Sequence, residues 1–222
     1  IKYISQLHQH AGSKHQFMQE MQMLADLNHP GVVGILDGGL TDKGQPWLVL
    51  DYIEGDHIDQ YCHKQQATDE DIIKLIIELC DALRFVHQRG VLHLDIKPSN
   101  VLIKTINQIP YPVLIDFGIS RNQNENRNEV FGTPGYAAPE LLKSGTQATA
   151  STDIFALGIL LAQLLCRNTV PNVGLLSTQE RNSLLLEQQV NPDLLAIISQ
   201  ATQKDSQFRY THTEAFRNDL NN

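Results

Sequence analysis

With 222 residues, 41% of them hydrophobic, the chain can bury a core and fits one globular unit or one domain of two unequal lobes. A formal net charge of −8 gives no overall electrostatic reason to bind nucleic acid or an anionic membrane. The three cysteines are far apart and form no CxxC pair, which disfavours a zinc site and a disulfide framework and favours a reducing, cytoplasmic setting.

The chain shows no signal peptide, and its longest apolar stretch, residues 154–166, is too short to span a membrane. We therefore expect no membrane segment. The chain opens on Ile1 rather than methionine, so we expect that preceding residues were removed or are not included.

The first 50 residues predict one helix beside an antiparallel hairpin. Apolar residues in 14–27 recur at spacings of 4, 3 and 3 residues, which makes one helical face, and the His-Pro-Gly sequence at 29–31 stops it. Two strand-like runs follow at 32–36 and 47–50, separated by a turn-forming segment.

The rest of the chain is mainly helical in pattern. Thr68 is the expected N-cap of a helix that Gly90 closes. Two apolar runs at 101–103 and 113–115 predict a small hairpin. A second helix is expected from a cap at Ser151 or Thr152 through Leu165, and because it is apolar almost all round it belongs in the middle of a lobe.

Three clusters carry chemistry and stand in a fixed order: HLDIKPSN at 93–100, DFG at 116–118 and GTPGYAAPE at 132–140. A lone DFG is weak evidence, but its occurrence 21 residues after Asp95 and before APE is specific. The clusters resemble the catalytic loop, the metal-binding loop and the end of the activation segment of Hanks-type serine/threonine protein kinases, including the bacterial ones.

This resemblance covers the whole chain and implies a two-lobed α+β kinase fold. Residues 1–50 would form a partial N-lobe, a small antiparallel sheet plus one helix, residues 51–55 the hinge and residues 56–222 a mainly α-helical C-lobe. The implied cofactors are ATP and Mg²⁺, and the implied partners are proteins with serine or threonine acceptors.

The resemblance also assigns the phosphoryl-transfer residues. Asp95 would accept the proton of the substrate hydroxyl, and Lys97 would neutralise the γ-phosphate. Asn100 and Asp116 would hold Mg²⁺ through hard oxygen ligands. Thr133 would bridge Asp95 and Lys97, and together with Lys97 it favours serine/threonine over tyrosine acceptors.

The resemblance also implies which residues contact the nucleotide. Lys2, in a fragment that resembles the end of the VAIK strand, would clamp the α/β-phosphates, and Glu20 would hold that lysine. The alternative is that Lys2 is an ordinary surface lysine. The remaining expected contacts are the backbone groups of Asp51 and Ile53 for adenine, Leu50 as gatekeeper and Leu102 as apolar floor.

Five residues would be structural in this family. His93 would pack beneath Phe117, Glu140 would pair with Arg209 in a buried salt bridge, and Asp153 would hold the backbone of the catalytic loop.

The sequence departs from the family at two places. Leu94 replaces the arginine that receives a phosphorylated activation-loop residue, and residues 121–132 contain no serine, threonine or tyrosine. We therefore expect activity without activation-loop phosphorylation. The glycine-rich loop that covers ATP is missing from the chain as given, which predicts weak nucleotide binding by this piece alone.

Two other functions stay open. A kinase-like scaffold is favoured by the missing glycine-rich loop and by Leu94, whereas the retained catalytic residues favour an enzyme. A small-molecule kinase is disfavoured by the GTPGYAAPE segment. The segment around the catalytic loop also resembles bacterial multi-domain kinases, so we expect flanking sensor or repeat domains, through which the parent could be tethered to a membrane.

Overall fold

The computed structural model describes residues 2–3, 24–42, 46–117, 121–122, 132–143, 147–167, 170 and 172–222. Within these ranges, none of the helices has the length and hydropathy needed to cross a bilayer.

A small antiparallel sheet forms from strands β1 (Lys2–Tyr3), β2 (Ile35–Leu40) and β3 (Pro46–Leu50), in the order β1-β3-β2. The predicted strand at 32–36 was therefore placed too early. Val32 and Val33 are buried and bind the backbone of Leu114, far along the chain, so this apolar run is a core segment and not a sheet strand. Most of the predicted helix at 14–27 lies outside the described residues.

Six α-helices in the described ranges make up most of the remainder. They are α1 (Ile58–Gln65), α2 (Asp69–His87), α3 (Ala150–Leu165), α4 (Thr178–Glu187), α5 (Pro192–Ala201) and α6 (Thr213–Leu220). Helix α2 begins after Thr68, as predicted, because Thr68 and Asp71 exchange hydrogen bonds through both side chains in a capping box. It ends at His87, three residues before the expected Gly90, which instead turns the chain with φ +74°.

Helix α3 lies in the centre of this helical layer, and every residue from Ser151 to Leu165 is buried. The predicted cap at Ser151 or Thr152 was wrong by two or three residues. Thr149 is the N-cap, and the Thr152 hydroxyl already lies in the first turn, where it accepts a hydrogen bond from the Thr149 N–H at 3.0 Å.

The described ranges contain two further sheets. Strands β4 (Asp56–His57), β6 (Val101–Ile106) and β7 (Ile109–Leu114) pair in the order β4-β6-β7, which confirms the predicted hairpin and extends it to a turn at residues 107–108. Strand β5 (Val91–Leu92) pairs with β8 (Arg121–Asn122). The mixed α+β class expected from the sequence is confirmed.

Candidate active site

The loop at 93–100 connects β5 to β6, and α3 fixes its backbone. Asp153, fully buried in the first turn of α3, accepts the N–H of His93 at 2.9 Å and that of Leu94 at 2.7 Å. Leu94 has φ +65°, a left-handed conformation that is uncommon for a residue with a bulky side chain. The carboxylate of Asp153 therefore lies where it stabilises an unusual turn just before Asp95.

Polar groups surround the carboxylate of Asp95. Thr133 Oγ1 donates to Asp95 Oδ1 at 2.7 Å, and Lys97 Nζ lies 2.7 Å from Asp95 Oδ2 and donates to Thr133 Oγ1 at 2.8 Å. Asn100 Nδ2 donates to the backbone carbonyl of Asp95 at 2.8 Å and to its Oδ2 at 2.9 Å. One carboxylate, one ammonium and one hydroxyl thus form a closed triangle.

The second motif is attached to this loop through its backbone. The N–H of Ile115 donates to the Asn100 carbonyl at 2.9 Å, and His93 Nε2 lies 3.2 Å from the Ile115 carbonyl. The rings of His93 and Phe117 pack with centroids 4.6 Å apart. These contacts bring Asp116, which has φ +63°, next to Asn100.

The residues present fit a magnesium ion. Asn100 is almost fully buried and uses its Nδ2 for both contacts with Asp95, so its Oδ1 is the atom left to coordinate a cation. Asp116 supplies carboxylate oxygens on the adjoining segment. The described residues hold no group of three or more metal-binding side chains, but Mg²⁺ usually takes only one or two protein ligands and completes its shell with water and phosphate.

Burial and hydrogen bonding oppose each other in the two buried ionisable groups of the loop. Burial acts to raise the pKa of Asp153, but the hydrogen bond and charge of His87 and the amide of His93 outweigh it, and the pKa stays below its usual range. Burial lowers the pKa of His93, so this histidine is neutral at pH 7. The loop is thus anchored by an anion and packed by a neutral ring.

Only one member of the expected lysine–glutamate pair, Lys2, lies within the described residues. The backbone of Lys2 forms β1 and pairs with Leu48 in β3, whereas Glu20 lies outside them. The pairing of Lys2 with Glu20 therefore stays a prediction.

The expected hinge follows β3. The Asp51 N–H donates to the Gly34 carbonyl at 2.8 Å, which ties the segment to the small sheet. The Asp51 carbonyl and the backbone of Ile53 make no hydrogen bond within the described part of the chain, so they are available to a ligand. Leu50 is half-buried at the end of β3, and Leu102 is half-buried in β6.

A buried ion pair lies beneath the third motif. Arg209 and Glu140 form two parallel hydrogen bonds, Nη1 to Oε1 at 2.7 Å and Nη2 to Oε2 at 2.8 Å. Their side chains are 0% and 10% exposed. The pair joins the loop before α6 to the segment that carries Thr133.

Sequence reasoning missed two features of this site. His87 binds Asp153 across 66 residues, and no local spacing signals such a contact. The second feature is the surroundings of Leu94. This residue is buried in an apolar cluster whose other members are Leu92, Tyr136, Ala138, Leu141, Ala148, Phe155 and Ile159. The available signal was the apolar character of Leu94, together with that of Tyr136 in the third motif and of Leu141 directly after it.

Comparisons with known proteins agree with this geometry. The protein kinase domain family matches residues 1–220. A probable serine/threonine-protein kinase PknB of Lactococcus lactis is 30% identical over 218 residues, 92% of this chain and 34% of that protein. Serine/threonine-protein kinase PknB of Mycobacterium tuberculosis is 30% identical over 224 residues, 92% of this chain and 35% of that protein. The chain thus spans about a third of the length of these relatives.

A solved structure agrees as well. The crystal structure of the Mycobacterium tuberculosis PknI kinase domain, a double mutant, matches with a TM-score of 0.69 at 25% identity, over 94% of this chain and 78% of that one. The family match, the relatives and the fold agree with the three motifs and with the contacts that join them. The chain belongs to the protein kinase domain family.

Proposed function

We propose that this domain transfers the γ-phosphoryl group of ATP, with Mg²⁺, to serine or threonine hydroxyls of protein substrates. The observation that carries this function is the hydrogen-bonded triangle of Asp95, Lys97 and Thr133. The names of the relatives, serine/threonine-protein kinases, support the acceptor class.

Each residue of the triangle has a distinct part. Bound Mg-ATP supplies the phosphoryl group, which Asn100 and Asp116 would help to hold through the metal. The carboxylate of Asp95, oriented by Thr133 and Asn100, accepts the proton of the attacking hydroxyl. Lys97 places positive charge where negative charge develops on the transferred group.

The nucleotide would be held by both parts of the fold. Lys2 clamps the α/β-phosphates and Glu20 holds that lysine, while the backbone of Asp51 and Ile53 contacts adenine between Leu50 and Leu102. The small sheet before residue 51 and the helices after residue 55 support a division into an N-lobe, residues 1–50, a hinge, residues 51–55, and a C-lobe, residues 56–222.

We further propose that activity does not require a phosphorylated activation loop. Leu94 lies in an apolar cluster with Tyr136, Leu141 and Phe155, so hydrophobic packing joins the catalytic loop to the end of the activation segment. In kinases that carry arginine here, a phosphate–guanidinium pair makes this connection. The domain would act in the cytoplasm, and flanking parts of its parent protein would supply the signal and the substrates.

A transfer assay tests the function. The purified full-length parent protein, treated with a phosphatase that is then removed, is incubated with Mg²⁺, labelled ATP and a generic basic protein. We expect labelled serine and threonine, and a loss of at least about 100-fold for Asp95→Ala, since general-base groups contribute that much. Asp193→Ala, an exposed aspartate at the start of α5, should label as the wild type does.

The outcomes separate the alternatives. Equal incorporation by the wild type and Asp95→Ala would contradict the enzyme and favour a scaffold. Label on small hydroxyl compounds but not on protein would favour a small-molecule kinase. Activity that returns only with phosphate on Ser120, Thr133 or Tyr136, located by mass spectrometry, would contradict independence from activation-loop phosphorylation.

A further inference from the structure

His87, the last residue of α2, contacts the carboxylate that anchors the catalytic loop. Its Nε2 lies 2.8 Å from Asp153 Oδ2, and its side chain is only 9% exposed. The same oxygen accepts the His93 N–H, and Asp153 Oδ1 accepts the Leu94 N–H. One buried carboxylate thus receives three N–H donors, one from α2 and two from successive residues of the catalytic loop.

We propose that His87 is a positioning residue for phosphoryl transfer. By fixing the rotation of the Asp153 carboxylate, it keeps the backbone at Leu94 in the conformation that presents Asp95. This role in catalysis rests on the proposed function, but control of the loop backbone by His87 does not depend on it.

The backbone at Leu94 needs such support. A left-handed conformation at a bulky residue costs about 1–3 kcal/mol and persists only where the surroundings over-determine it. Leu94 is held by the hydrogen bond to Asp153 Oδ1 and by its packed side chain. A carboxylate bound only by the two loop amides could rotate with the loop, whereas the donor from α2 ties it to a rigid helix.

The second ring nitrogen of His87, Nδ1, indicates that a contribution to stability does not by itself explain a histidine at this position. His87 Nδ1 is buried and has no hydrogen-bond partner among the described residues. Since an ionised carboxylate only accepts hydrogen bonds, Nε2 carries a proton, and Nδ1 is left as a buried polar atom without a partner among the described residues. Such a group costs about 1–3 kcal/mol, which a leucine would avoid while filling similar space.

Amide hydrogen exchange tests the backbone step without requiring activity. Three variants are compared: His87→Leu removes the donor, His87→Gln keeps an N–H donor at similar reach, and Cys80→Ala is a buried core change in the same helix that leaves Asp153 untouched. We expect exchange at the amides of His93 and Leu94 to rise at least about tenfold in His87→Leu. It should stay within about threefold of the wild type in the other two.

Transfer kinetics then test the catalytic step. We expect His87→Leu to lower kcat at least about tenfold with KM for ATP within about twofold, and His87→Gln to recover most of kcat. Cys80→Ala should keep kcat even if its Tm falls further. Exchange or kcat in His87→Leu no different from Cys80→Ala, or no recovery in His87→Gln, would overturn the role of His87. A wild type no more active than Asp95→Ala would instead contradict the proposed function and leave the exchange result to decide the positioning of the loop.

Discussion

The hydroxyl of Thr133 serves two charged groups at once. It donates to Asp95 Oδ1 and accepts from Lys97 Nζ, at 2.7 Å and 2.8 Å. Only a hydroxyl can both donate to a carboxylate and accept from an ammonium in so small a side chain. Because the same Lys97 also lies 2.7 Å from Asp95 Oδ2, Thr133 helps to fix the orientation of two groups that contact each other directly.

Replacing Thr133 by valine should therefore impair chemistry more than binding. Hydrogen bonds to charged groups contribute about 1.5–3 kcal/mol, which corresponds to a loss in kcat of roughly 10- to 100-fold. KM for ATP should change little, since Thr133 contacts the catalytic residues. Steady-state kinetics with Thr133→Ser as control checks this, and a serine variant as impaired as the valine variant would contradict it.

For individual residues, the sequence predicted much of the site, since the motif places Asp95, Lys97 and Asn100 within one short loop. The approach of Asp116 to Asn100 follows from a backbone hydrogen bond between Asn100, just before β6, and Ile115, just after β7. His87 could not be predicted, because its contact with Asp153 depends on how α2 crosses α3 and leaves no local pattern.

At the scale of the elements, capping residues predicted the start of α2 but placed the start of α3 two or three residues too late. Thr68 and its acidic first turn correctly predicted the start of α2, because the capping box is written in residues three apart. The buried valines at 32–33 satisfied the strand pattern equally well, but their partner is Leu114. A short apolar run does not reveal which distant strand it binds.

The Arg209–Glu140 pair joins the loop before α6 to the segment that carries Thr133, and it should contribute strongly to the free energy of unfolding. Arg209 also donates to the carbonyl of Gln203 at 2.6 Å. Arg209→Met would leave a buried carboxylate without its cation, which costs about 3–5 kcal/mol. Urea unfolding at pH 7 measures this. Arg84→Met is the control: the Arg84 side chain is 46% exposed and lies 3.5 Å from Asp81, so its loss should cost no more than about 1 kcal/mol.

The same pair predicts a pH dependence. Burial acts to raise the pKa of Glu140, but the hydrogen bonds and charge of Arg209 outweigh it, so the folded-state pKa lies below the ordinary 4.5. Stability from a lowered carboxyl pKa is fully present above 4.5 and is lost as the pH falls through the folded-state value. The difference between the wild type and Arg209→Met should therefore shrink below pH 4.5, and a difference that grows there would contradict this assignment.

At the scale of the whole molecule, the catalytic loop and the end of the activation segment are joined by both polar and apolar contacts. Thr133 supplies the polar connection. The cluster around Leu94 supplies the apolar one, with side chains from β5, the 136–141 segment and α3. Since such packing needs no added charge, it agrees with a loop sequence that carries no hydroxyl between residues 121 and 132.

Substitutions at Leu94 test whether packing makes this connection. Leu94→Ala should lower the free energy of unfolding by about 2–5 kcal/mol, since Leu94 is 4% exposed and a cavity would remain. Leu94→Met, which keeps the volume, should cost less than about 1.5 kcal/mol and retain activity after phosphatase treatment. Leu94→Ala should lose kcat in parallel with its stability, because the end of the activation segment then loses its packing partner. An alanine variant as stable and active as the methionine variant would show that the apolar cluster does not order the segment.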